Sequence, residues 1–213
     1  MTFDNYFDLR NVEPETGYYP MPKCFVNVLP KEKHAKILDI GCGFGFTLQD
    51  LKNLGYTNIR GVDILQSVVE YCKKKGLEVE KIGDIIRYSR KSKDKYDLVI
   101  LNHVIEHIEK NKIIDTLIAI REYLIGHEGK LLIAVPNAQS NTNCYWAYED
   151  FSRTTLFTAE SLMYVLKAAG FTKIDFLDID GLEDTKGVRK IIKRILLQYY
   201  RSQTRFWNRV TTS

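Results

Sequence analysis

The chain predicts an α/β fold, a mostly parallel sheet with helices on both faces. Three observations carry that reading. Short apolar segments alternate with stretches of helical period along most of the sequence. The helical stretches stop at glycines: Gly55, Gly76, Gly126 and Gly170. The first apolar segment, 36–40, runs directly into a glycine-rich turn.

Residues 1–35 are rich in aromatics and broken by Pro14, Pro20, Pro22 and Pro30, which predicts an N-terminal lid or helical segment with a short helix over 25–29. Tyr6, Tyr18 and Tyr19 are the side chains that would fold over a ligand; core aromatics are the other reading. Strands are predicted over 36–40, 59–63, 77–82, 96–101, 130–135 and 171–179. Helices are predicted over 48–54, from a Ser67 cap to Lys75, within 105–124, and over 159–169 behind a Thr158 cap. Residues 137–157 show no clear period and read as an insertion, and 187–201 reads as a basic amphipathic helix. The expected division is therefore a lid, 1–35, a ligand-binding domain, 36–180, and a basic tail, 181–213.

With 213 residues, 45% hydrophobic and 27% charged, the chain has material for one buried core. No apolar run reaches 18 residues, so no membrane-spanning helix is expected, and the N-terminus lacks a basic-then-apolar leader. Four cysteines (Cys24, Cys42, Cys72 and Cys144) show no CxxC spacing, which argues against a zinc ribbon or disulfide scaffold and for reduced thiols in the cytoplasm. The net charge of +4 is uneven: 185–213 holds eight basic residues and no acidic one, leaving 23 basic against 27 acidic residues elsewhere. The main domain is thus mildly acidic, and no nucleic-acid partner is expected.

Ligands of such sheets bind beyond the carboxyl ends of the strands. There the sequence reads Asp39-Ile40-Gly41-Cys42-Gly43-Phe44-Gly45. A dinucleotide fingerprint would need glycine at 46, which is Phe46, and no Lys-Ser or Lys-Thr follows to make a phosphate loop. Asp39 would repel an anion, so a neutral or cationic ligand fits. Asp63 ends the second strand, 22 residues after Gly41, where a carboxylate accepts from both ribose hydroxyls or caps a helix. Asp84 follows the third strand, where it accepts from an adenine amino group or makes a turn, and Ile85 lies beside it.

These motifs, with Tyr96-Asp97-Leu98-Val99-Ile100 and Glu106-His107 after them, resemble the class I S-adenosylmethionine-dependent methyltransferases over about residues 30–180. The resemblance implies a Rossmann-like seven-stranded sheet with an antiparallel last strand, and S-adenosylmethionine as cofactor, S-adenosylhomocysteine being the product. The cofactor set it implies is Asp39, Gly41, Cys42, Gly43, Asp63, Ile64, Asp84, Ile85 and Asn102.

Methyl transfer needs alignment, and a hydroxyl acceptor also gains from a base. His103, Glu106 and His107 open the helix predicted after the fourth strand and share its face at i, i+3 and i+4. Three readings stand for them: polar contacts at a helix start, a histidine base, or a metal site such as some quinone-type O-methyltransferases carry. The string also matches an inverted zinc-protease motif, but it follows a buried strand and lacks an obvious third ligand. Tyr145, Trp146, Tyr148, Glu149, Asp150 and Arg153 are the candidate acceptor residues, since rings cover sugar faces while carboxylates and arginine bond hydroxyls or phosphate; a packed loop that anchors on the core is the other reading.

The run from Tyr148 to Thr158 resembles methyltransferases of bacterial capsule and O-antigen polysaccharide biosynthesis, with Ser152-Arg153 in place of their Thr-His. That implies O-methylation of a sugar or phosphate-type group of a glycan precursor. The rivals are a quinone-type or other small-molecule methyltransferase and a non-catalytic cofactor-binding subunit. The basic tail is a docked last helix, a contact with a partner enzyme, or a peripheral anchor at the inner membrane face.

Overall fold

A computed structural model describes Phe7 and residues 20–140, 145–178 and 181–211, without the side chains of 146, 147, 207, 208 and 211. The chain divides into two units, one of 1–21 with 29–174 and one of 22–28 with 175–213.

In the first unit, five strands alternate with helices: β1 (Ile37–Ile40), β2 (Ile59–Asp63), β3 (Val79–Lys81), β4 (Tyr96–Asn102) and β5 (Ile125–Ala134). They form one parallel sheet in the order β3-β2-β1-β4-β5. β1 is buried at all four positions, as a central parallel strand covered on both faces should be. Between the strands run the helices α2 (Phe46–Asn53), α3 (Gln66–Lys74), α4 (Ile85–Lys91) and α5 (Ile113–Ala119). The short α1 (Lys23–Val26) precedes them in the chain, while α6 (Tyr145–Tyr148) and α7 (Ala159–Ala168) follow β5.

The strand order runs one way from β1 to β3 and then restarts beside β1 with β4. Right-handed crossovers therefore put α2 and α3 on one face and α4 and α5 on the other. Two apolar clusters match that division. One packs Leu48 of α2 with Val68, Val69 and Cys72 of α3. The other joins Leu38, Ile40, Val99 and Leu101 to Ile113 and Leu117 of α5 and Leu162 and Leu166 of α7.

The described residues hold five parallel strands, and not seven with an antiparallel last one. The strand expected over 171–179 does not form in 171–178; its last residue lies outside the described residues. Alternation makes a strand only where an edge offers backbone partners. Here the Phe171 amide turns back to the Leu166 carbonyl to close α7. In the second unit Asp178 sits at φ 39°, and its carboxylate accepts from the Leu182 and Glu183 amides, so the chain turns.

Other differences are local. Ser67 is not a cap: α3 starts at Gln66, and the Leu65 amide before it bonds to the Asp63 carboxylate. The helix expected within 105–124 is α5, preceded by two 3-10 turns and followed by a wider π-turn over Ile120–Leu124. α4 is too short to show a period in the sequence; Asp84 caps it by accepting from the Arg87 amide at 2.7 Å. β5 begins at Ile125, five residues before the expected strand, after a shift in its register with β4. The Thr158 cap is present, as a reciprocal box with Ser161.

The second unit holds α1 and the long α8 (Gly187–Thr211), which runs ten residues past the expected end. Within it Lys23 lies 3.7 Å from Asp184, Asn27 donates to Glu183, and Lys193 donates to the Gly181 carbonyl.

Candidate functional site

The sheet reverses between β1 and β4, and sheets of this kind hold their ligands beyond the carboxyl ends of the strands at such a switch point. Gly41, Gly43 and Gly45 all take positive φ, at 70°, 51° and 76°. At Gly41 the demand is double, because a Cβ would also stand 2.5 Å from Val104 Cγ2. The turn after β1 therefore touches the turn after β4. A cavity lined by Lys52, Gly55, Tyr56 and Gly76 lies instead at the amino ends of β2 and β3, away from this edge.

Asp63 braces the glycine turn. Its Oδ2 accepts from the Gly43 amide at 3.0 Å and its Oδ1 from the Leu65 amide at 2.9 Å. A carboxylate has about four acceptor positions, so capacity remains for a ligand hydroxyl. Burial raises its pKa, against the lowering effect of the Leu65, Gly43 and Ile64 amides. Asp39 is 2% exposed and its carboxyl accepts no hydrogen bond among the described residues. Burial first, and Asp63 second, push its pKa from 3.8 to about 8. Two carboxyls so placed suit a ligand with a cationic end and a diol, which is the donor set of S-adenosylmethionine.

The other expected cofactor residues divide. Ile64 is an exposed apolar side chain directly after Asp63. Ile85 packs on the main core cluster at the start of α4. Asp84 stays at the surface, with one oxygen committed to its cap. The Cys42 thiol packs in the apolar cluster with Leu48, Val68 and Cys72, which leaves its backbone as the part that the turn presents. A hydrogen bond to Cys72, burial and nearby carboxyls push that thiol well up, so it stays protonated. Asn102 ends β4 and is partly buried. From the N-terminal segment, Phe7 stacks on Phe44 at 4.4 Å between ring centres; Tyr6, Tyr18 and Tyr19 lie outside the described residues.

His103, Glu106 and His107 do not share a helical face. His103 has φ 57°, a left-handed conformation uncommon for a residue with a Cβ, and a tight 3-10 turn follows. That turn leaves His103 beside Glu106 and sends His107 elsewhere. The His103 ring stays 54% exposed, and its Nδ1–H donates to Glu106 Oε1 at 3.3 Å. Glu106 is 1% exposed, its Oε2 has no hydrogen-bond partner among the described residues, and Arg153 Nε lies 3.9 Å from Oε1. His107 turns the other way, to Ser152. Among the described residues no group of three or more His, Cys, Asp or Glu side chains is arranged to hold a metal ion.

The segment after β5 is anchored through that turn. The Thr154 and Thr155 amides both donate to the Glu106 carbonyl, and Thr154 Oγ1 donates to the Ile108 carbonyl. The Ser152 hydroxyl donates to Asp150 Oδ1 at 2.6 Å, which commits its one proton, so Ser152 Oγ accepts from His107 Nδ1–H at 2.9 Å. Burial lowers the His107 pKa from its ordinary 6.5, against the nearby Glu106 and Asp150 charges, and so favours the neutral ring.

Two expected acceptor residues thus face inward: Asp150 is buried and holds Ser152, and Arg153 is buried beside Glu106. Tyr145, Tyr148 and Glu149 are exposed, and the Trp146 side chain lies outside the described residues. Sequence reasoning missed three residues. Ser152 sits two after an aspartate, the spacing of an Asx turn, and that spacing was its signal. Phe151 is 88% exposed, and Val104 closes on Gly41; neither carries a mark in the sequence.

Similarity to known proteins agrees with this geometry. A ubiquinone biosynthesis O-methyltransferase of Rickettsia canadensis is 38% identical over 78 residues, covering 35% of this chain and 32% of that protein. Matches to curated proteins of that name cover between 32% and 45% of their length. A SAM dependent methyltransferase from Archaeoglobus fulgidus superposes with a TM-score of 0.63 at 22% identity, over 84% of this chain and 83% of that one. The plantazolicin methyltransferase BpumL, in complex with SAH, gives 0.57 at 19%, over 94% and 82%. At such identities the structures speak for the fold. A model of the methyltransferase domain matches residues 21–175, most of the chain, so the protein belongs to the methyltransferase domain family, whose cofactor is S-adenosylmethionine.

Proposed function

We propose that the protein is an S-adenosylmethionine-dependent O-methyltransferase for a small hydroxylated aromatic acceptor, a phenol or quinol. The observation that carries this is the contact of His103 with the buried Glu106 at the carboxyl end of β4, next to the glycine turn. A hydroxyl acceptor needs its proton removed as the new bond forms, whereas an amine needs only a free lone pair. The cofactor supplies an activated methyl group on sulfur. His103 donates Nδ1–H to Glu106, which turns Nε2 outward as the nitrogen that takes the acceptor's proton. Glu106 acts through His103, as a positioning residue that steadies the imidazolium. Exposed Tyr145, Tyr148 and Phe151 supply rings for a flat acceptor. The names of the partial curated relatives support the same class. The sugar or phosphate-type reading is weaker, since Asp150 and Arg153 face inward.

The test is methyl transfer to catechol, to a simple sugar and to a primary amine, with the His103→Ala variant alongside. Expected are turnover on catechol, a loss of about 10²–10⁴-fold in His103→Ala, and unchanged S-adenosylhomocysteine affinity. Methylation of the amine or sugar alone would overturn the acceptor class. Cofactor binding without turnover on any of them would favour a non-catalytic subunit.

A further inference from the structure

The long C-terminal helix plays no part in the site described above. α8 carries Val188, Ile191, Ile192, Ile195, Leu196 and Tyr199 at positions i, i+3, i+4, i+7, i+8 and i+11, which line one face. Each of these side chains is between 51% and 70% exposed. An apolar face on a helix is ordinarily buried, and these side chains are exposed. The rest of the circumference is basic: seven lysines and arginines lie within 187–211, with no aspartate or glutamate among them.

We infer that α8 is an in-plane helix that docks on an anionic lipid surface. Such a surface answers both faces at once, with acyl chains taking the apolar stripe while headgroups neutralise the cations flanking it. A spanning arrangement is excluded for the described helices, none of which is long and apolar enough to cross a membrane. A second copy of α8 would match the apolar face but bring seven more positive charges with no carboxylate to meet them. At about 1.5 Å per residue the 25-residue helix would lie along roughly 37 Å of membrane. This inference stands apart from the acceptor chosen above.

The test is co-sedimentation of the full chain with vesicles of phosphatidylcholine alone and of phosphatidylcholine mixed with phosphatidylglycerol. Expected is at least tenfold stronger binding to the mixed vesicles, weakened as salt rises from about 0.1 to about 0.5 M. Ile191→Glu with Ile195→Glu should abolish it, and Lys190→Glu with Arg194→Glu should remove the preference for anionic lipid. S-adenosylhomocysteine binding, measured on each variant, shows that the main domain still folds. The inference is overturned if the wild-type chain fails to sediment with mixed vesicles, or if it binds both vesicle types equally. Insensitivity to the apolar-face pair, or self-association in place of lipid binding, would overturn it too.

Discussion

The turn after β1 and the segment after β5 both border the carboxyl edge of the sheet, yet they are held by different means. The first is held by its own backbone conformation. Its glycines adopt conformations that side chains resist, and its amides run to Asp63 and Val62. The second is pinned at a few points: backbone bonds at Asn137–Phe157 and from the Thr154 and Thr155 amides to Glu106, and side-chain bonds from Thr154 and from Ser152, which Asp150 holds. Between these points Tyr145, Tyr148 and Phe151 present their side chains at the surface. A backbone-built turn suits one invariant ligand, because substitution elsewhere leaves its amides in place. A segment pinned at a few points can change its acceptor by changing a few residues while the sheet stays intact.

That contrast predicts where single changes hurt. Gly41→Ala forces a Cβ into a left-handed residue and against Val104, and it should cost about 2–4 kcal/mol in urea unfolding. Adding Val104→Ala should restore the steric part alone. A loss below about 1 kcal/mol would mean that the turn is softer than its geometry suggests.

Ser152→Ala cuts the link from His107 to Asp150. It should raise the acceptor KM about tenfold, near 1.4 kcal/mol, with cofactor affinity unchanged. If cofactor affinity fell as well, the two regions would not be separable.

The smallest effect is titration of Asp39. Its folded pKa of about 8 lies above the ordinary 3.8, so the apo fold is favoured below about pH 4 and loses that contribution as pH rises toward 8. A cationic end favours the ionised form without requiring it, so calorimetric affinity for S-adenosylhomocysteine should improve several-fold from pH 6 to pH 8. Asp39→Asn should flatten the profile. A flat wild-type profile would show that Asp39 does not meet the cation.

The cofactor half was the more legible in the sequence, for a physical reason. Gly41, Gly43 and Gly45 mark backbone conformations, and Asp63 is set by its place at a strand end, so spacing along the chain carries the information. Cys42 shows where spacing runs out: it sits in the motif, but its thiol packs into the core. The acceptor half was less legible, because Asp150 and Arg153 read equally as acceptor ligands or as anchors of a packed loop, and only contacts 45 to 48 positions away in sequence set the segment against the β4 turn. The periodicity of 171–178 is a strand pattern with no described partner, since a sequence does not show whether an edge is there to receive it.

By itself, then, the sequence determined the alternation of elements, the parallel sheet, the glycine turn with its two carboxyls, and the amphipathic character of the tail. These follow from local propensity, from side-chain period, and from the few residues that tolerate positive φ. The tertiary structure alone decided that the described sheet has five strands. It also decided that His107 turns away to Ser152, and that the apolar side chains of α8 are exposed. The first depends on groups 45 positions apart meeting, and the left-handed His103 is tied by its amide to the Ala134 carbonyl, a contact that no local pattern encodes.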